Sequence, residues 1–171
     1  YDTSLLAARI AHAGAAFIPV RWLHFTLLLS GAHTKFKKWI LIPYVVAGLV
    51  DLFMFTPWFI PRVAPTQQFA HYLRTGPAFH FYTLMYFTLV PIGFAVLSQK
   101  IKRAQSEEKP QLVGFFAATL AGFAAGAFGF LPAYDIMFPQ HGYFLFPLYP
   151  FVMAYFMMRH RLFDIEAIAQ A

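Results

Sequence analysis

Five long apolar runs, each ended by a charge cluster or a Pro/Gly interruption, limit this chain more than any other feature. They cover residues 5–31, 39–59, 76–97, 110–131 and 142–158. An α-helix needs about 20 apolar residues to cross the ~30 Å hydrocarbon core of a bilayer. The runs are continuously apolar rather than alternating, which favours helices over a membrane barrel. Composition points the same way, with 60% of residues hydrophobic, 20% aromatic and only 12% charged. A soluble domain carries about 25% charged residues, and a disordered chain is poor in aromatics. The expected fold is all-α: a polytopic membrane helix bundle of about five transmembrane helices, forming one domain over residues 1–171.

Charge then sets the direction of threading. Lys35, Lys37 and Lys38 lie between the first two runs, Lys100, Lys102, Arg103 and Lys109 between the third and fourth, and Arg159 and Arg161 after the fifth. The second-to-third connection holds only Arg62 and Arg74, and the fourth-to-fifth holds no Lys or Arg. The positive-inside rule places the lysine-bearing connections and the C-terminus in the cytoplasm. The net charge of +6 is thereby explained without nucleic acid as a partner. Trp39, Tyr44, Trp58, Tyr72, Tyr134 and Tyr143 fall near run ends, where amphipathic rings favour the interface, whereas Trp22 lies too deep for that belt. Pro57, Pro61 and Pro65 mark the second-to-third connection as a structured outer loop. The chain opens at Tyr1 with nothing shaped like a cleavable signal peptide.

Few residues in these runs carry chemistry. With no cysteine, disulfides, thiol nucleophiles and Cys-based metal sites are excluded. Arg21 and Asp51 lie ~11 and ~14 residues from the cytoplasmic ends of their runs, depths that differ by about 5 Å along a helix. Charges at such depth find partners inside the bundle, so an Arg21–Asp51 pair between the first two spans is expected. His12, His24 and His80 sit in or near the membrane without a metal-ligand spacing. No cofactor or metal is expected; haem or chlorin held by His24 or His80 is the alternative. Gly114, Ala118, Gly122 and Gly126 recur every fourth residue, with Ala121, Ala125 and Gly129 on the adjacent row. Such a small-residue ridge lets another helix approach closely, from this chain or another. Pro91, Pro147 and Pro150 should kink their helices. Glu107 and Glu108 read as a solvated face among lysines. No phosphate loop, paired carboxylates or nucleophile–base grouping appears, so catalysis within these residues is not expected.

Three segments, in order, resemble the N-terminal seven-helix sensor region of bacterial membrane histidine kinases. They are RIAHAGAAFIPVRWLHFTLLLSG at residues 9–31, then TGP at 75–77 with KIKRAQSEEKPQL at 100–112, and FGFLPAYDIMFPQHGYFLFPLYPFVMAYFMMRHRLFDIE at 128–166. In the last, Phe130, Leu131, Pro132, Tyr134, Pro139, Gly142, Tyr155, Arg161, Leu162, Asp164 and Ile165 fall on the family's closing pattern, and Gln140-His141 lengthen one turn by a residue. The resemblance covers nearly the whole chain, as the last five of seven helices. It implies a sensory input module in the bacterial inner membrane, with residues 159–171 as a cytoplasmic exit helix on which Arg159 and Arg161 snorkel to headgroups and Asp164 faces water. No phosphoacceptor-histidine helix or ATP-binding domain lies within these residues.

Two functions are thus in play. In one, a lipid, a hydrophobic ligand or a partner helix biases the last span and any output domain attached to it. In the other, the chain is an accessory structural subunit of a larger respiratory, photosynthetic or transport complex, docked through the ridge of the fourth span.

Overall fold

The computed structural model describes residues 2–66, 69–137, 150–152 and 154–155. In chain order the elements are α1 (Asp2–His12), α2 (Phe17–Leu29), α3 (His33–Phe36), α4 (Leu41–Leu52), β1 (Val63–Ala64), β2 (Tyr72–Leu73), α5 (Pro77–Arg103), α6 (Lys109–Phe128) and α7 (Phe130–Ala133). The protein is an all-α membrane helix bundle. Three stretches are long and apolar enough to cross a membrane, namely Thr3–Leu29, Pro77–Arg103 and Lys109–Ala133, and α4 is a shorter apolar helix.

The first span differs from an uninterrupted helix. It breaks between α1 and α2 at Gly14, whose φ of +77° ends α1 in a left-handed turn. Pro19, in the first turn of α2, reinforces the break because it has no N–H and its ring opposes the carbonyl four residues back. The second span is also shorter as a helix than residues 39–59. α4 stops at Leu52, about 18 Å from its start at 1.5 Å per residue. Residues 53–60 continue as turns, held where the Thr56 hydroxyl donates to the Phe53 carbonyl at 2.7 Å and accepts from the Trp58 N–H at 3.2 Å. These turns do not face lipid throughout, since Met54, Phe59 and Ile60 are fully buried.

α5 is the central element. α2, α4 and α6 all pack against it, and its buried face carries Phe79, Tyr82, Tyr86, Val90, Phe94 and Leu97. α2 is seated on α5 by Trp22, whose ring lies 4.7 Å from that of Phe94 and 4.9 Å from that of Phe123 on α6. The indole N–H donates to the Val90 carbonyl at 3.1 Å. Gly93 makes room, because a Cβ there would collide with the indole nitrogen. This explains the depth of Trp22: it is a packing wedge, not an interfacial anchor.

At one end of the bundle, β1 and β2 form a two-stranded antiparallel hairpin pairing Val63 with Leu73 and Ala64 with Tyr72. At the opposite end lie the lysine-bearing connections, where Lys100 Nζ meets the Glu108 carboxylate at 2.8 Å. Glu108 is therefore engaged by a lysine rather than merely solvated. The TGP segment earns its glycine at the start of α5. The Gly76 N–H donates to the Phe59 carbonyl and the Ala78 N–H to that of Trp58, and a Cβ at Gly76 would lie inside the Trp58 carbonyl. Gly48, in mid-α4, has no atom within 4 Å of its Cβ position.

These two glycines predict opposite outcomes. Gly76→Ala should lower the melting temperature in detergent sharply, with a cost at or above the roughly 1–3 kcal/mol of overpacking. Gly48→Ala should leave stability unchanged or raise it by about 0.5–1 kcal/mol through helix propensity. Equal melting temperatures for the two variants would contradict the described junction.

Candidate functional site

The break in the first span and the hairpin end together frame the most chemically furnished region. Because hydrocarbon offers no hydrogen bonds, a helix break within it needs internal partners. The N–H of Gly14 donates to Asp51 Oδ1 at 2.9 Å. The expected Arg21–Asp51 pair is not formed: the ion pairs among the described residues are Arg74–Asp135 and Lys100–Glu108. Arg21 is exposed on α2, seven residues beyond Gly14, which is about 10 Å along the chain. Depth counting assumed a continuous first helix. The break presents a backbone N–H at the level of Asp51, and the carboxylate takes that instead.

His12, His24 and His80 each have a protein partner. His12 Nδ1 lies 2.8 Å from the Ala8 carbonyl, and since a carbonyl only accepts, that nitrogen carries the proton. His24 Nδ1 lies 3.0 Å from the Tyr44 hydroxyl, and its ring stacks on His33 at 5.0 Å. His80 Nδ1 lies 2.8 Å from the Tyr134 hydroxyl. No group of three or more His, Asp or Glu able to hold a metal occurs among the described residues. Both candidate haem or chlorin ligands thus carry a tyrosine hydroxyl on Nδ1.

The hairpin end is tied to α6 and α7 by side chains. The Tyr72 hydroxyl donates to the Gly129 carbonyl at 2.6 Å. Arg74 pairs with Asp135 at 2.8 Å and donates to the Pro65 carbonyl at 2.9 Å. Asp135 adopts φ +62°, a conformation that side chains rarely take. The Tyr134 hydroxyl lies between His80 Nδ1 and Thr83 Oγ1, at 2.8 and 2.9 Å. Arg9 joins the same end by donating from Nη2 to the Ile60 carbonyl at 2.8 Å. The sequence presented Tyr72 and Tyr134 as interfacial rings, and Arg9 simply as an arginine within the first run. Their bonding partners come from distant segments, which no local spacing reveals.

Along the ridge of the fourth span, Gly114 and Ala118 are buried, and a Cβ on Gly126 would lie 2.8 Å from the Tyr86 hydroxyl of α5. That hydroxyl donates to the Phe123 carbonyl. Gly122 and Gly126 instead line a cavity of about 480 Å³ between the α1–α2 break and α6, floored by Phe79, Tyr82 and Tyr86. Arg159, Arg161 and Asp164 lie outside the described residues, as does Pro147.

The family model described as the N-terminal 7TM region of histidine kinase matches residues 1–166. The chain belongs to that family. No curated protein and no solved structure matches it. Membership makes this 7TM-family chain a multi-pass membrane protein and a membrane sensor module of the histidine kinase type. The region is a sensory domain rather than a catalytic one.

The cap on the first-span break carries its own prediction. Asp51→Ala leaves the Gly14 N–H without its acceptor and should destabilise the protein by about 1–3 kcal/mol. Asp51→Asn keeps an acceptor oxygen and should cost less than half as much in the same thermal unfolding series. Should Asn prove as damaging as Ala, charge rather than hydrogen bonding would be what Asp51 supplies.

Proposed function

We propose that this histidine-kinase 7TM chain is a non-catalytic input module of the bacterial inner membrane, whose hairpin end faces outward and senses. The lysine-bearing connections are cytoplasmic by the positive-inside rule. The observation that carries the reading is the Tyr134 junction. One hydroxyl links His80 and Thr83 of α5 to the residue just after α7, at the threshold of the segment leading to the last span. A change at the outer end is thereby felt where the chain leaves α7 for the last run, and in this reading the sequence carrying Arg159, Arg161 and Asp164 passes it on to the output.

The accessory-subunit alternative docks through the ridge of the fourth span, where Gly114 and Ala118 are buried within the bundle; the outward row Leu41, Val45, Leu49 and Leu52 of α4, all more than half exposed, is another surface open to it. Lipid satisfies such a row without a protein partner. The sensor reading is preferred because the Tyr134 junction joins α5 to the residue just after α7, where the chain leads on to the last run.

Fusion to a reporter kinase tests this. Tyr134→Phe removes both side-chain bonds while preserving the ring, and should shift basal output of the fused kinase about threefold to tenfold in either direction, with membrane expression unchanged. Output equal to that of the unaltered fusion would count against a signalling role for the junction.

A further inference from the structure

The cavity beside the α1–α2 break has polar groups that the bundle itself does not use. Tyr82 is only 7% exposed, yet its hydroxyl makes no hydrogen bond among the described residues. Among the described residues, the fully enclosed side-chain polar atom without a partner is Arg9 Nε, outside this cavity, so the Tyr82 hydroxyl keeps accessible surface, and Tyr82 lines the cavity. His12 also lines it. With Nδ1 donating to Ala8, the neutral ring presents Nε2 as an unoccupied acceptor. Both rings pack against the same two phenylalanines: His12 lies 6.2 Å from Phe59 and 6.1 Å from Phe79, and Tyr82 lies 6.1 and 5.6 Å from them. One donor and one acceptor thus line the same cavity and pack on the same two rings.

The rest of the lining is apolar or small, including Ile18, Phe123 and Phe130, apart from Tyr72 and Tyr86, whose hydroxyls are bonded to the Gly129 and Phe123 carbonyls, and among the described residues no charged side chain lines it. An ionic ligand would be left unpaired in a poorly solvated site. The volume of about 480 Å³ falls within the ~300–1,000 Å³ of small-molecule pockets. A hydroxyl group is the chemistry that meets both partners, donating to His12 Nε2 and accepting from Tyr82. We infer that this cavity binds an uncharged, lipid-soluble molecule carrying a hydroxyl, with its hydrocarbon against Phe79, Tyr86 and Phe130. This deepens the sensor reading and rests on it only for the consequence of binding, not for binding itself.

The test uses the 171-residue chain in lipid nanodiscs with 1-decanol as probe, and decane and decanoate as controls at equal bilayer mole fraction. Trp22 reports, since its ring packs on Phe123 of the cavity wall. Decanol should give a saturable change in Trp22 fluorescence that decane and decanoate do not. Tyr82→Phe, which keeps the ring and removes a hydroxyl bonded to nothing among the described residues, should weaken that response about threefold to tenfold. Ala11→Phe, at an exposed position on the lining, should abolish it by filling the space. Equal responses to decanol and decane, or an unchanged decanol affinity in Tyr82→Phe, would overturn the proposal. Decanol binding that remains intact alongside an unresponsive kinase fusion would support the site and count against the sensor reading instead.

Discussion

Hydrocarbon cannot hydrogen-bond, and that single constraint orders everything else in this bundle. Each unsatisfied backbone group in a bilayer costs several kcal/mol, so an interrupted helix must bring its own partners. The first span is interrupted at Gly14, and Asp51 supplies the partner. The second span abandons helix after Leu52, and Thr56 closes the turns that follow. Other hydroxyls are satisfied within their own helices, as where Thr26 donates to Leu23, Ser98 to Phe94 and Thr119 to Phe115. Against this background Tyr82 stands apart, a buried residue whose hydroxyl has no partner among the described residues.

Around α5 the same economy governs packing. Trp22 fits where Gly93 leaves space and returns its N–H to Val90. Tyr86 crosses to Phe123 above Gly126. Small residues therefore do two jobs in this fold: they admit a large ring from the neighbouring helix, and they bring a carbonyl within its reach. The hairpin end is built differently, from long polar side chains that bridge segments far apart in sequence. Ring packing continues into that end through Phe59, Phe79, Phe130 and Tyr134, and the polar bridges are added to it.

Much of this was legible in the residues. Apolar run length and continuity gave an all-α membrane bundle, and the closing FLP and RLFDI segments carried the family. That the connection between the second and third runs is structured was readable from Pro57, Pro61 and Pro65. The Arg21–Asp51 pairing was not sound, because depth along a helix is a usable ruler only while the helix continues, and Gly14 with Pro19 ends it. Those two residues were a visible signal of a break, outweighed by the apolar run around them. Tyr134 was readable as an aromatic near an interface, but not as the meeting point of His80 and Thr83, since those bonds span more than 50 residues. Trp22 announced itself by failing to fit the aromatic belt, and the structure supplies the reason.

In the proposed arrangement these helices sit in a bilayer with the β1–β2 end on one side and every lysine-bearing connection on the other. The chain has no native cysteine, so single replacements can be labelled cleanly. An impermeant maleimide added to intact cells should label Arg62→Cys, and should reach Lys37→Cys and Lys102→Cys only after the membrane is permeabilised. Labelling of Lys102→Cys from outside intact cells, at the rate seen for Arg62→Cys, would contradict the account.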